Sequence, residues 1–151
     1  MKLIFVRHGE TPWNREKRVQ GFTDVALSEL GRLQAERLAC RLRGESIGRI
    51  VSSPLRRARE TAEAIARFHD LPVECDQDLR ELDQGDFEGS TYRELKDRHA
   101  LFFLQWLAQP ATVAIPGGES LIQLQQRAWP VVERLIAEAR DTLVVSHSFT
   151  I

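Results

Sequence analysis

The sequence has few cysteines and no long apolar segment, the features that provide disulfides, metal clusters or membrane anchors. Its 151 residues include two cysteines, Cys40 and Cys75, one tyrosine and one methionine. Two cysteines so far apart form no metal-type cluster, and we expect reduced core thiols in a cytoplasmic protein. No apolar run approaches the roughly 18 residues that span a bilayer. The run after Met1-Lys2 has only the length of a strand, so we expect no secretory signal.

A net charge of one sign is also lacking. The 21 lysines and arginines nearly balance 22 acidic residues, and the formal net charge is −1. Such a balance creates no global field toward nucleic acid or an anionic membrane, and there is no basic aromatic stripe. With 42% hydrophobic and 28% charged residues, the composition is that of an ordinary globular protein. The length predicts a single domain over residues 1–151.

Short apolar runs alternate with segments of helical periodicity. We predict four strands, at 2–7, 49–52, 71–75 and 142–146. The segments between and around them predict helices at 29–43, from Pro54 onward, at 92–107 and at 119–139. Pro130 lies inside the last of these and should either kink it or mark its true start. The alternation predicts an α/β fold, a three-layer αβα sandwich around a mostly parallel sheet.

Three of the predicted strands run directly into polar residues. These are Arg7-His8, Ser52-Ser53 and Ser146-His147. Parallel strands bring such ends to one edge of the sheet, where open α/β sheets bind ligands. The segment 8–27 is too long for a plain connection, so we expect it to be functional. The sequence therefore predicts one cleft that contains an arginine and two histidines.

Phosphoryl transfer is the chemistry that suits these side chains. A neutral His8 can attack phosphorus through one ring nitrogen while a backbone carbonyl holds the proton of the other. Arg7 and Arg57 can each hold phosphate oxygens in a bidentate fork, and Asn14 offers a neutral amide donor. A protonated His147 would add a charged donor, and we expect a phosphate dianion to raise its pKa. Taken singly, each residue also has an ordinary structural explanation.

A zinc site is the alternative for the same cleft. Its ligands would be His8, Glu81 and His147. Two arginines beside them would repel the cation, so we favour a phosphate site.

Taken together and in order, six blocks of the sequence resemble the histidine phosphatase superfamily in its phosphoglycerate-mutase-like branch. The first block is Arg7-His8-Gly9-Glu10-Thr11 with Trp13-Asn14. The others lie at 20–31, 52–62, 79–89, 116–120 and 144–147. The resemblance covers essentially the whole chain.

The resemblance implies a role for each matched residue. His8 would carry the phosphoryl group, and Glu81 would be the general acid that later activates water. The phosphate pocket would comprise Arg7, Asn14, Arg57 and His147, with the backbone of Ser148. Gln20, Gly21 and Phe22 would lie near the rest of the substrate. The family uses no metal or other cofactor for this chemistry.

Two departures from the family pattern are visible. Ser148 stands where relatives commonly have glycine, although the backbone N–H that would contact phosphate is retained. The chain also stops at Ile151, whereas relatives continue through a further helix and usually a strand. We expect a shortened gene product rather than a partner chain that covers the gap. An apolar sheet face left uncovered would favour association, for example as a homodimer.

A metal-independent phosphomonoester hydrolase is the function we expect. Little more than a helix and loops joins Glu81 to Gly117, whereas the family's mutases carry longer insertions there, so water should reach the site. The alternatives are a cofactor-dependent phosphoglycerate mutase and a noncatalytic phospho-ligand binder. The binder predicts loss of a chemical residue, yet His8, Glu81 and His147 are all present.

The substrate would be a small metabolite phosphate, such as α-ribazole phosphate or a sugar phosphate. Four side chains, Phe22, Tyr92, Phe102 and Trp106, suggest an apolar or ring-bearing alcohol. They are equally compatible with a place in the core.

Overall fold

A computed structural model describes all residues, 1–151. The strands are β1 (Leu3–Arg7), β2 (Arg49–Ser52), β3 (Val73–Cys75) and β4 (Thr142–Ser146). The helices are α1 (Pro12–Arg15), α2 (Glu29–Leu42), α3 (Arg56–Ala66), α4 (Tyr92–Arg98), α5 (Ala100–Ala108) and α6 (Leu121–Ala137). Two single 3₁₀ turns, Gln77–Leu79 and Gly85–Phe87, lie between β3 and α4.

All neighbouring strands of the sheet are parallel, in the order β1-β4-β2-β3. The register places Arg7 beside Ser146, and Ser52 beside Val145. The three strands with polar ends are therefore adjacent, and all end at the same edge. This arrangement confirms the predicted α/β class and its parallel sheet.

The two faces of the sheet are covered by different helices. Val6, Ile50 and Val145 join the core cluster that includes buried residues of α2 and α3. The alternate residues Val51 and Val144 point the other way and pack with buried residues of α6. Because side chains alternate across a strand, one apolar run supplies both layers. The predicted three-layer sandwich is confirmed.

A third apolar cluster lies beyond the sheet and connects α4, α5 and the start of α6. Leu82, Phe87, Leu95 and Ile115 are buried there, and Phe102 packs against them. Helix α5 has no fully buried residue, and its half-buried Phe102 and Phe103 pack against this cluster. These contacts hold the helix on the rest of the molecule. The cluster holds α4 and α5 beside the polar edge of the sheet.

The region predicted as one helix over 92–107 contains two. Helix α4 ends at Arg98 and α5 begins at Ala100, because His99 takes a non-helical conformation with φ −127° and ψ 36°. Its ring packs against Phe87, with centroids 4.8 Å apart. Tertiary packing thus breaks a segment whose local pattern was continuous.

Helix α6 begins later than predicted and runs through Pro130 without interruption. Ser120 and Gln123 form a reciprocal capping box at its start, so the proline does not mark that start. The loop at 8–27 also contains an unpredicted turn of helix, α1, which Thr11 caps through Asn14.

Both cysteines are free, and both are exposed. The expectation that they are core thiols was wrong, because the neighbours of Cys40 on α2, Ala39 and Leu42, face the core instead. None of the helices combines the length and apolar character that crossing a bilayer would require.

Candidate active site

His8 stands where β1 ends, with its backbone N–H bonded to the carbonyl of Ser146 on β4. Its Nδ1 lies 2.7 Å from the Gly9 carbonyl oxygen. Because a carbonyl only accepts, Nδ1 must carry the proton, which leaves the lone pair on Nε2. Burial lowers the pKa of His8 to about 4, helped by the charges of Arg57 and Arg7, although the Gly9 carbonyl opposes this. At neutral pH the ring is therefore uncharged and held in one tautomer, with Nε2 free to act as a nucleophile.

The loop after His8 is fixed by close backbone contact with α2. A Cβ on Gly9 would lie 2.5 Å from the Gly31 carbonyl oxygen, and one on Gly31 would overlap Glu10. Ser28, the N-cap of α2, donates its hydroxyl to the Glu10 carboxylate at 2.7 Å. Gly9 also donates its N–H to Thr61 on α3. These contacts fix the backbone that carries the nucleophile.

His147 follows β4 and is fully buried. Its ring centroid lies 5.1 Å from that of His8. Nε2 is 2.8 Å from the Ser53 hydroxyl, and Nδ1 is buried without a hydrogen-bond partner. The bond to Ser53 can persist in either protonation state, since a hydroxyl both donates and accepts.

The expected rise in the pKa of His147 depends on a phosphate dianion beside the ring and stays a prediction. In the protein by itself, burial lowers the pKa well below its usual range. The positive charges of Arg57, Arg127 and Arg7 add to that effect, as does His8. His147 is thus neutral at physiological pH until an anion changes the local charge.

Arg57 lies fully buried in the first turn of α3. It donates to the carbonyls of Gly21 at 2.7 Å and Thr23 at 3.0 Å. Its Nε is buried without a partner, so one donor remains for an anion. Burial lowers its pKa to about 10, and the guanidinium stays charged at neutral pH. Arg7 is exposed and lines the cleft that also contains His8, whereas Arg57 is not part of the lining of that cleft.

The polar loop places Asn14 and Gln20 at the cleft. The Asn14 carbonyl oxygen accepts from the backbone N–H of Thr11, so its amide NH₂ remains a donor. Gln20 lines the cleft and lies 2.8 Å from the Thr11 hydroxyl. Gly21 and Phe22 do not line it. Gly21 bonds to Arg57, while the ring of Phe22 is covered by another guanidinium, that of Arg80.

Glu81 is buried in the segment between β3 and α4. Its Oε1 accepts the N–H of Leu82 at 2.9 Å and that of Phe149 at 3.2 Å. Burial raises the pKa of Glu81 above its ordinary value, despite these bonds and the charge of Arg57. A carboxyl that holds its proton more tightly is suited to act as a general acid.

Arg127 on α6 fixes the segment that carries Glu81. Its guanidinium donates to the carbonyls of Asp78 at 2.7 Å, Arg80 at 2.9 Å and Glu81 at 2.6 Å. It also forms a double ion pair with Glu119, at 2.8 Å on each side. We identified neither Arg127 nor Ser53 from the sequence. The sequence signal for Arg127 was its spacing from Glu119 across the start of the last predicted helix. The signal for Ser53 was its place at the end of a predicted strand.

A cavity of about 320 Å³ is lined by part of this set, whereas Arg57 and His147 are fully buried and do not line it. His8, Glu81, Arg7, Asn14, Gln20 and Ser148 line its polar side, and apolar residues line the other. A larger depression of about 1050 Å³ between α2 and α3 shares none of its residues. The structure contains no group of three or more histidine, cysteine or acidic side chains arranged to hold a metal ion. The small cavity thus brings together an imidazole with a free Nε2 lone pair, a carboxyl group whose pKa is raised, and donors that can bind an anion.

A family model described as the histidine phosphatase superfamily (branch 1) matches residues 3–151. The chain belongs to the histidine phosphatase superfamily. The match runs from β1, which positions His8, past β4, which positions His147. The family resemblance inferred from the sequence blocks is confirmed.

The relatives of this chain carry both mutase and phosphatase names. It is 42% identical over 137 residues to phosphoglycerate mutase-like protein 4 of Arabidopsis thaliana, covering 89% of this chain and 60% of that protein. It is 36% identical over 149 residues to 2-carboxy-D-arabinitol-1-phosphatase of Triticum aestivum, covering 97% of this chain and 30% of that protein. The chain therefore spans less than two thirds of either relative.

A solved structure gives the same fold. The mycobacterial glucosyl-3-phosphoglycerate phosphatase in complex with VO3 superimposes with a TM-score of 0.91 at 36% identity. The match covers 98% of this chain and 75% of that one.

Proposed function

We propose that the chain is a phosphomonoester hydrolase that works through a phosphohistidine at His8. The observation that carries this proposal is the pairing of two groups in one cavity. His8 has its proton fixed on Nδ1 and a free lone pair, while Glu81 has a raised pKa. A neutral nucleophile and a protonated acid are what transfer of a phosphoryl group from an alcohol requires.

The reaction has two steps. Nε2 of His8 attacks phosphorus, the bond from phosphorus to the ester oxygen breaks, and Glu81 gives its proton to the leaving alcohol. Glu81, now a carboxylate, takes a proton from water, and the water oxygen attacks phosphorus. The bond to Nε2 breaks, and inorganic phosphate leaves with His8 neutral again. The same carboxyl group serves as acid and then as base.

The cations would stabilise the charge of the transferring group. Arg7 lines the cavity, and we propose that the buried, unpaired Nε of Arg57, which lies outside the cavity lining, also bonds a phosphate oxygen. A dianion close to His147 would favour its protonation and so turn the buried Nδ1 into a charged donor. Asn14 and the backbone N–H of Ser148 would add neutral donors. Such fixed donors are effective because they need no reorganisation during the reaction.

Hydrolysis is favoured over mutase activity because of how Glu81 is connected to Gly117. Only the two short helices α4 and α5, with loops, lie between them. A mutase must hold a phosphorylated intermediate away from water, which a longer covering segment would help to do. We propose a small metabolite phosphate as substrate, with α-ribazole phosphate and sugar phosphates as the first candidates. We also propose the cytoplasm as location, since two exposed free thiols suit a reducing compartment.

The test is release of inorganic phosphate from p-nitrophenyl phosphate, sugar phosphates and α-ribazole phosphate, with EDTA present. The phosphorylated enzyme is trapped by rapid quenching in alkali, where phosphohistidine survives. We expect His8→Ala to abolish both turnover and trapping. The matched control is His69→Ala, beyond the end of α3 and outside the cavity, which should retain both.

Three results would contradict the proposal. The first is no phosphate release by protein that gives a native circular dichroism spectrum and a cooperative melt. The second is full activity of His8→Ala. The third is interconversion of 2- and 3-phosphoglycerate faster than phosphate release, which would identify a mutase. Thermal stabilisation by vanadate without turnover would instead indicate a binding protein.

A further inference from the structure

The apolar part of the cavity lining, which we call the aromatic wall, consists mainly of aromatic rings. Helix α5 contributes Phe102, Phe103 and Trp106, and the other aromatic residues of this lining are Phe87, Tyr92 and Phe149. Phe87 is buried, Phe102, Phe103 and Trp106 are half-buried, and Tyr92 and Phe149 are exposed. On the other face of α5, Leu101, Leu104 and Leu107 are exposed. The aromatic face of the helix is therefore the one turned toward the site.

The rings are held in place by contacts with one another. Phe87 meets Phe102 edge to face, with centroids 4.9 Å apart. Phe102 and Phe103 are also edge to face, at 5.4 Å. Such arrangements match the electrostatics of aromatic rings and leave little freedom to Phe87, Phe102 and Phe103. Rings that are already ordered favour an apolar, ring-shaped group because they add little ordering cost on binding.

The wall has little to offer a second negative charge. Apart from Arg7, which the proposed reaction uses for phosphate, its one cation is Arg18. Arg18 bonds through Nε to Glu16 at 2.7 Å and through Nη1 to the Gly89 carbonyl at 2.7 Å. A carboxylate on the leaving alcohol would have to compete with Glu16 for this guanidinium. It would also lie in the same small cavity as Glu81, which becomes ionised during the reaction.

We infer that this site selects phosphate esters of uncharged alcohols that carry one apolar ring, and discriminates against esters whose alcohol carries a carboxylate. The inference rests on the proposed phosphatase function and adds the class of its leaving group. The volume of about 320 Å³ lies at the lower end for small-molecule sites, which suits a phosphate and a single ring. Trp106 and Phe102 are the specificity-determining residues.

The experiment compares two esters of primary alcohols, 2-phenylethyl phosphate and 3-phosphooxypropionate. We expect kcat/KM to favour the phenyl ester by about tenfold or more, since burial of a ring contributes more than one decade of affinity. Trp106→Ala and Phe102→Ala should reduce this ratio toward one, mainly by raising KM for the phenyl ester. The matched control is Leu104→Ala, an exposed position on the same helix, which should leave the ratio unchanged.

Binding of nonhydrolysable analogues separates the two proposals. We expect 3-phenylpropylphosphonate to bind more tightly than 4-phosphonobutyrate, measured by calorimetry whether or not turnover occurs. Equal affinity for the two phosphonates would overturn the inference about the leaving group. So would a higher affinity for 4-phosphonobutyrate that is lost in Arg18→Gln. Tight phosphonate binding without phosphate release would overturn the phosphatase and leave the selectivity standing. Hydrolysis of both esters at equal rates would support the phosphatase and overturn the selectivity.

Discussion

His147 and Ser53 are hydrogen-bonded side chain to side chain across neighbouring strands, with 2.8 Å between Nε2 and Oγ. Both residues are fully buried, and the bond joins the end of β4 to the residue that follows β2. It sets the orientation of the His147 ring and leaves Nδ1 as the atom that an anion can engage. Ser53 is therefore a positioning residue for the second histidine.

Ser53→Ala should weaken the site more than it weakens the fold. It leaves Nε2 of His147 buried without a partner, at a cost of about 1–3 kcal/mol in the free energy of unfolding. We expect vanadate affinity and kcat/KM to fall by about tenfold as the ring loses its fixed orientation. Urea unfolding and inhibition by vanadate measure the two effects.

Ser52→Ala is the matched control for this variant. Ser52 is equally buried, but its hydroxyl donates to the Ser53 carbonyl and does not contact His147. It should lose similar stability and keep its vanadate affinity. Equal losses of affinity in the two variants would count against the positioning role.

Arg127→Met should impair the chemistry of Glu81. Arg127 bonds to the backbone carbonyl of Glu81 and not to its carboxyl group, so the effect would be one of positioning. Three carbonyls of the 78–81 segment lose their shared donor, and Glu119 loses its ion pair. We expect kcat to fall by about a hundredfold, because a small displacement of a catalytic acid has large effects, with KM nearly constant. The basic limb of the pH profile should move as the environment of Glu81 changes.

Arg134→Met provides the comparison on the same helix. Arg134 pairs with Asp76 and is half exposed, so its loss should leave kcat and the pH profile unchanged. Arg127→Lys should recover part of the activity, since one ammonium can satisfy some of the carbonyls. A pure stability defect in Arg127→Met, with normal kcat at low temperature, would refute the positioning role.

The pH dependence of kcat/KM should follow His8 and Glu81. His8 must be neutral to attack, so activity falls as the pH drops through its pKa of about 4. Glu81 must be protonated, so activity falls again as the pH rises through its raised pKa. Glu81→Gln should lower the rate by about 10²–10⁴ and remove the basic limb.

Two substrates with different phosphate pKa values distinguish the enzyme's limbs from those of the substrate. A limb that belongs to the substrate moves between the two profiles, and a limb that belongs to the enzyme does not. An unchanged basic limb in Glu81→Gln would mean that another group is the acid.

Gly31→Ala should disturb the nucleophile from outside the cavity. The new methyl group would overlap the backbone of Glu10, so the loop after His8 or the first turn of α2 must shift. We expect a loss of about 1–3 kcal/mol in unfolding free energy, together with reduced kcat. Gly44→Ala is the control, because a Cβ there meets nothing within 4 Å. Equal stability of the two variants would disprove the close approach.

The sequence predicts the parts of this molecule that depend on local pattern. Strand ends at Arg7 and Ser146 follow from apolar runs that stop at polar residues, and Ser28 marks the start of α2. The break at His99 was missed because packing against Phe87, far from any local signal, decides it. The exposure of Cys40 depends on which face of α2 meets the sheet.

The supporting residues of the site were missed for a related reason. Arg127 donates to backbone carbonyls about 46 residues away. Every residue has such a carbonyl, so the sequence does not indicate which ones are bonded. Ser53 bonds to a side chain 94 residues further along. Side chains that do chemistry belong to recognisable sets, whereas the residues that hold them are defined only by distance in three dimensions.

The strand order has a consequence for how this protein comes into being. Strands β1 and β4, the first and last along the chain, are neighbours, and β4 separates β1 from β2. Strand β2 can pair with β3 as soon as both have been synthesised, but the only neighbour of β1 is β4, so closing the sheet means closing the long loop that joins residues 3–7 to residues 142–146. A ribosome-bound chain that has emerged only as far as α6 would contain His8 but not His147. Catalytic competence should therefore appear only after β4 has been synthesised and has joined the sheet.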